Sequence, residues 1–303
     1  MYTILKRRAT KRLRKRVIIY IKLVYNEKKD VSEEKMDKLT KAQRISLITK
    51  ILVDHPFHMY TLQYFSEKFQ CAKSTLSEDI NLIESVLRKN DEGEIISVSG
   101  AAGGIYYAAY MKPEQVEKVK QLICQKLNDY RRVIPGGFVY MNDLFFDPKM
   151  LKKMAECIIT KYKEHRIDYV VTIETKGIPL AMAIANERGI PVAVIRKSAR
   201  LSEGTTMQMN YVTGSSKSIK TMAMPIRSIQ RKSNILLVDD FMKAGGTAKG
   251  MADLMSEFEA NIVGVAVVLA TKEPKQKLIK DYYTLVEYDG VDETKKTVKI
   301  IPA

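Results

Sequence analysis

The residues best suited to chemistry lie in ILLVDDFMKAGGTAKGM, residues 235–251. An apolar run ends in two acids, Asp239 and Asp240, and leads through Lys243, Ala244, Gly245 and Gly246 to Thr247. Two adjacent carboxylates can accept hydrogen bonds from both vicinal hydroxyls of a ribose. The glycines let backbone N–H groups come close to a phosphate, Thr247 adds a hydroxyl, and a helix starting here contributes the positive end of its dipole. A strand, loop and helix at the carboxyl edge of a parallel sheet is where open α/β folds bind ligands. The G-x-x-x-x-G-K-[ST] spacing is missing, which excludes a P-loop NTPase. A second turn, ETKGIPL at 174–180, sets Thr175, Lys176 and Gly177 between another apolar run and a helical segment, a composition that suits a diphosphate. Either acid alone reads as a helix cap; the acid pair, the glycines and the second turn together do not.

The elements that must position these residues are legible as a pattern. Near-continuous apolar runs at Tyr169–Ile173, Val192–Ile195, Ile235–Val238 and Ile262–Leu269 predict parallel strands buried on both faces. Helical spacing at about 148–165, 178–188 and 246–259 separates them, which predicts a doubly wound α/β domain. Between the second and third strands, the polar excursion Ser198 to Ser218 carries Met207 and Met209, and Met222 and Met224 follow at the same spacing, as on strand faces. Phe138, Val139, Tyr140, Leu144, Phe145 and Phe146 read as a hood over the sheet edge or as an interface.

Upstream the pattern differs. Thr40 with Gln43 opens a first helix that Pro56 stops, a second runs from Thr61 to Phe69, and a third from Lys73 to Arg88. EIISVSGAAGGIYYAAY then joins two β-rich stretches through Gly100–Gly104, so three helices and a hairpin outline a winged helix-turn-helix. The chain divides into a basic leader at 1–35, a winged-helix domain at 36–110, a connector helix within 111–135, and an α/β effector domain at 136–303. The leader reads as a solvated basic arm or as sequence ahead of a start at Met36.

Composition bounds the classes. The 303 residues are 46% hydrophobic and 28% charged, which excludes wholesale disorder, and no apolar stretch reaches the roughly 20 residues of a membrane span. Cys71, Cys124 and Cys157 stand far apart, which fits a reducing cytoplasm and argues against disulfides or a zinc site. The net charge is +16; residues 1–35 hold 12 basic and 4 acidic side chains, so half of the excess sits in the leader. No Ser-His-Asp or Cys-His arrangement is visible, and His55 and His58 flank Pro56, which excludes a helical metal pair. His165 reads as a helix-terminal residue stabilised by the dipole.

The 235–251 segment resembles the phosphoribosyl pyrophosphate (PRPP) motif of type I phosphoribosyltransferases. The whole layout resembles the bacterial purine operon regulators, across about 36–290, in AKSTLSEDI, GAAGGIYY, IPGGFVY, TKGIPLA, EGTTMQMNYVTGSS and DDFMKAGGT. The resemblance implies a type I phosphoribosyltransferase-like domain that binds PRPP as an effector without catalysis, with Asp239 and Asp240 on the ribose hydroxyls. It places the 5′-phosphate on Lys243, Ala244, Gly245, Gly246 and Thr247, and the pyrophosphate on Thr175, Lys176 and Gly177. It also implies operator DNA of purine genes as partner, a homodimer, and a mobile loop at 198–218. Mg²⁺ would be held mainly by the ligand's own oxygens, and a competing phosphorylated nucleotide is a second candidate occupant. Enzymes of the wider family usually carry a small residue and a hydroxyl where this chain has Lys243 and Ala244, which weighs against the alternative of an active purine phosphoribosyltransferase with an accessory domain. A third reading, general nucleic-acid binding driven by the leader, requires residues 1–35 for binding.

The DNA-contact candidates follow from position. Lys73, Ser74, Thr75 and Ser77 cluster at the start of the third helix, where a recognition helix meets the major groove, and Lys41 and Arg44 in the first helix add phosphate contacts. Hydroxyl side chains here mainly position the protein on phosphates; the alternative is a helix merely capped by Ser74. Lys38, Arg131 and Arg132 are further candidates. With about six phosphates neutralised, the log–log dependence of DNA affinity on salt is expected to have a slope near −5. Anisotropy titrations across a salt series measure it directly.

Overall fold

The protein is described from a computed structural model covering residues 39–100, 103–135, 138–212, 218–292 and 294–303. The basic leader therefore lies outside the described residues. The chain forms two compact units, Met1–Arg44 and Ile45–Ala303. In the first, Thr40 N donates to Gln43 Oε1 (2.9 Å) and Gln43 N to Thr40 Oγ1 (3.4 Å), a reciprocal cap that starts α1 (Lys41–Asp54).

The second unit continues with α2 (Leu62–Phe69), α3 (Lys73–Lys89) and the wing strands β1 (Glu94–Val98) and β2 (Gly104–Ala108). Thr61 caps α2 by accepting from Tyr64 N. Ile48, Leu52, Phe65, Phe69, Leu76, Ile80 and Ile83 are buried, which is the helical spacing read from the sequence. Tyr60 pairs with Ile105 through two 2.8 Å backbone bonds and so adds a third strand position to the wing. The approach is close enough that a side chain on Gly104 would begin 2.4 Å from the Tyr60 carbonyl.

Next come α4 (Pro113–Leu127), the two-residue strands β3 (Val133–Ile134) and β4 (Phe138–Val139), the short α5 (Asn142–Phe145) and α6 (Pro148–Lys161). After them β5 (Tyr169–Ile173), α7 (Gly177–Arg188) and β6 (Val192–Ile195) lead to a hairpin of β7 (Thr206–Val212) and β8 (Ile219–Pro225). The chain ends with β9 (Asn234–Met242), α8 (Gly246–Glu257), β10 (Asn261–Thr271), β11 (Tyr283–Asp292) and β12 (Thr297–Pro302).

The large sheet has the order β12-β11-β10-β9-β5-β6, all parallel except the edge strand β12. Both faces are covered, and β9 shows why its run is continuously apolar. Leu236 and Val238 pack into the core with α6 and α7, while Ile235 and Leu237 pack on the opposite side with α8 and the hairpin. Chain order reverses at the β5–β9 boundary: α7 carries β5 outward to β6, and α8 carries β9 the other way to β10. The loops leaving β5 and β9 thus flank the topological switch point.

Several expectations change. The polar excursion extends into a hairpin, in which Met207 faces Met224 and Met209 faces Met222. Met222 and Met224 are fully buried against α8, so the segment is anchored by its methionines; residues 213–217 are outside the described part. The sheet gains β11 and β12, which the apolar runs did not reveal because their residues are mixed in polarity. The connector helix ends at Leu127, and α6 ends at Lys161, short of His165, whose ring meets Tyr162 edge-on at 5.8 Å. The winged-helix and α/β parts meet at Arg188, the last residue of α7. Its guanidinium lies 4.5 Å from the Phe57 ring centre and donates to the Tyr162 carbonyl at 2.7 Å. Among the described residues no helix is long and apolar enough to cross a membrane.

Candidate effector site and DNA-binding face

A cavity of about 620 Å³ opens at the carboxyl edge of β5 and β9. Its lining brings together Thr175, Lys176, Asp239, Asp240 and the whole 243–247 loop. The sequence-predicted effector residues therefore share one site, with Gly177 directly behind it. A side chain at Gly177 would begin 2.2 Å from Thr172 Oγ1 and 3.3 Å from Asp239 Oδ1, so α7 can start here only on glycine. Gly245 has φ 80°, a left-handed conformation that turns the chain from β9 into α8, and Gly246 is the first helical residue. The structure places consecutive amides of this turn at the positive end of a twelve-residue helix.

The two acids differ in environment. Asp239 is 8% exposed and accepts from Asp240 N at 2.9 Å, whereas Asp240 is half-buried. Burial, followed by the neighbouring Asp240 charge, holds the Asp239 carboxyl well above the usual carboxylate range, with Lys197 acting weakly the other way. Glu174, just ahead of the diphosphate-type turn, plays a different part. It accepts from Lys197 N (2.8 Å) and Arg196 Nη1 (3.3 Å), and the first of these bonds is the main reason its carboxyl is held below its ordinary range. The Glu174–Thr175 peptide is cis.

Among the cavity residues that the sequence reading did not single out, three come from the segment between β6 and β9. Lys197 follows β6, Tyr211 lies in β7 and Lys220 in β8. Tyr211 is buried, packs against the helix that follows the phosphate-type loop at Gly250, and lines the cavity with Thr247. The alternation of the methionines points to strands in this segment, and the family resemblance to a mobile loop at 198–218. Of the expected hood residues, Phe138, Val139 and Tyr140 line the cavity, Leu144 and Phe145 enter the core, and Phe146 projects outward, 71% exposed. No group of three or more His, Cys, Asp or Glu side chains suited to a metal occurs among the described residues.

On the winged helix, Lys73 and Ser74 are exposed at the first turn of α3, with Thr75 and Ser77 half-buried. Ser77 Oγ donates to the Lys73 carbonyl at 3.0 Å. The cap position is Ala72, which makes no side-chain bond, so Ser74 is not the cap and its hydroxyl lies within the helix's first turn. Lys41 is exposed. Arg44 departs from expectation: it is 8% exposed and its Nη1 donates to the Leu39 carbonyl at 3.1 Å, so its guanidinium is turned inward. Lys38 lies outside the described residues. Arg131 and Arg132 are engaged by Asp129 and Asp143, both in bidentate pairs.

The Asp239 geometry sets a stability signature. A carboxyl raised on folding contributes its full stability below the unfolded range, near pH 4, and loses it as pH rises through the folded value. Ligand-free wild type should therefore lose thermal stability between about pH 4 and pH 7 through this group. Asp239→Asn should flatten that slope and melt higher than wild type at neutral pH. Melting curves across a pH series check both, and an unchanged slope in the variant would contradict the assignment.

Residues 40–109 match the family described as the N-terminal domain of the bacterial purine repressor, and residues 142–299 match the phosphoribosyl transferase domain. The purine biosynthesis transcriptional repressor PurR of Bacillus subtilis (strain 168) is 38% identical over 263 residues, which is 87% of this chain and 92% of that protein. The purine biosynthesis transcriptional activator PurR of Lactococcus lactis (strain IL1403) is 34% identical over 258 residues, 85% of this chain and 95% of that protein. The α/β part alone is similar to a xanthine phosphoribosyltransferase of Pseudomonas aeruginosa, 28% identical over 145 residues, 48% of this chain and 73% of that enzyme. With both domains matched in order and relatives this similar over nearly their whole length, the chain belongs to the family of bacterial purine biosynthesis transcriptional regulators.

Proposed function

We propose that this protein binds operator DNA of purine biosynthesis genes through its winged helix and senses PRPP, with Mg²⁺, in the cavity of its phosphoribosyltransferase-like domain. The observation that carries the reading is the convergence of three chemically distinct groups in one cavity: the Thr175–Gly177 turn, the Asp239–Asp240 pair and the 243–247 loop. On this reading the pair accepts from the ribose 2′ and 3′ hydroxyls. The 243–247 amides and Thr247 hold the 5′-phosphate, and the 175–177 turn holds the pyrophosphate. Mg²⁺ would reach the site on PRPP oxygens. The function is sensing rather than transfer. Lys243 and Ala244 put a cation and a methyl where the enzymes usually carry a small residue and a hydroxyl, which favours anion binding over the alignment that transfer needs.

PRPP can change DNA affinity only by as much as it prefers one conformation of the protein over another. Titration onto a purine-operon promoter fragment, with and without PRPP and Mg²⁺ at fixed salt, should show a PRPP-dependent shift in affinity. The shift should vanish in Asp239→Asn, a variant expected to fold at least as stably as wild type. DNA binding that is indifferent to PRPP would contradict the sensor role. The similarity to a xanthine phosphoribosyltransferase favours one second reading, an active purine phosphoribosyltransferase. Sustained pyrophosphate release from PRPP and a purine base would establish it; none is expected.

A further inference from the structure

The segment after β10 packs under the phosphate-type loop and controls which way its peptides face. Lys277 Nζ donates to the carbonyl of Lys243 at 2.7 Å, and also to the carbonyls of Thr271 (2.6 Å) and Pro274 (3.2 Å). One residue on, Leu278 N donates to the carbonyl of Ala244 at 3.0 Å. Gly245 accommodates this contact, since a side chain there would begin 3.3 Å from Leu278 N and 3.2 Å from Ile279 N. Two consecutive carbonyls of the loop, those of Lys243 and Ala244, are thus held by the 277–278 segment.

A trans peptide is planar, with its C=O and N–H pointing in opposite directions. Anchoring the Lys243 carbonyl on Lys277 turns the N–H of Ala244 away from that anchor, and anchoring the Ala244 carbonyl on Leu278 does the same for the N–H of Gly245. Both residues line the cavity. The anchor on Lys243 is also a cation. A charged donor on the carbonyl polarises the whole peptide and strengthens its N–H as a donor to an anion. Among the described residues the hydrogen-bond partners of Lys277 Nζ are carbonyls and the Thr271 hydroxyl (3.5 Å); burial holds the ammonium below its ordinary range, and the charges of Glu287 and Glu273 partly restore it.

We infer that Lys277 is a positioning residue for the phosphate subsite: it orients and polarises the Lys243–Ala244 peptide, next to the peptide that Leu278 N holds, so that the loop binds the 5′-phosphate of the effector. It does so from behind the loop, without touching the ligand. The inference rests on the PRPP reading above. Its test uses the two halves of that ligand separately, ribose 5-phosphate for the 243–247 loop and inorganic pyrophosphate for the 175–177 turn. Calorimetric titration of the full chain compares wild type with Lys277→Met and Lys277→Arg, with melting curves recorded alongside. Lys277→Met should weaken ribose 5-phosphate by about tenfold or more while leaving pyrophosphate affinity unchanged. Lys277→Arg, which keeps the cation, should lose less than Lys277→Met. Unchanged ribose 5-phosphate affinity in Lys277→Met, or an equal loss of both compounds, would overturn the positioning role. Wild type binding neither compound would overturn the PRPP reading and this inference with it.

Discussion

A carboxylate packed against the end of a parallel sheet is disfavoured in its charged form, and the site is arranged around that constraint at Asp239. Burial raises its proton affinity, and the adjacent Asp240 raises it further. The surroundings relieve only part of the penalty: Asp240 N donates to it, and Lys197 contributes from across the cavity. α7 adds no side chain there, because Gly177 presses directly on Thr172 and Asp239. A protein selected only for stability would not bury an acid this way. Binding sites commonly retain such groups at the expense of stability. On the proposed reading, the pair accepts from the two hydroxyls of a ribose diol.

The sheet order explains why both anion-type loops reach this acid. α7 and α8 leave neighbouring strands in opposite directions across opposite faces, so a cleft opens between their N-termini at the β5–β9 boundary. The hairpin closes one side by lodging Met222 and Met224 beneath it and lining the cavity with Tyr211, and the β4 segment supplies Phe138 and Val139 on another. The helix that begins behind the diphosphate-type turn ends at Arg188, against Phe57 of the winged-helix part. One helix therefore starts directly behind the cavity and ends on the winged-helix part.

Much of this was legible in the chain because its signals are local. The runs at Tyr169–Ile173 and Val192–Ile195 coincide with β5 and β6, since strands buried on both faces need unbroken apolar sequence. The acid pair, the glycines and the ETKGIPL turn sit next to the strands that present them, so their meeting at one edge follows from the topology. The start of α3, which carries the candidate DNA contacts, was legible for the same reason, although the cap fell at Ala72 and Arg44 turned inward to a carbonyl. The rest depended on the chain returning from a distance. Lys277 lies in KEPKQKLIK, a stretch indistinguishable by composition from a solvated loop, and only the fold brings it under Lys243. Lys197, Tyr211 and Lys220 are similar cases, and β11 and β12 carry too many polar residues for their pattern to stand out.

Thermodynamic linkage offers the most direct test of the central claim, that the cavity and the winged helix are two sites of one sensor. PRPP affinity should be measured by calorimetry with Mg²⁺, once on the free protein and once on protein saturated with an operator duplex. The account predicts that the two dissociation constants differ, and by the same factor through which PRPP shifts the affinity for DNA. Identical PRPP affinity in the free and DNA-bound protein would contradict it, because two sites that do not influence each other's occupancy are not coupled.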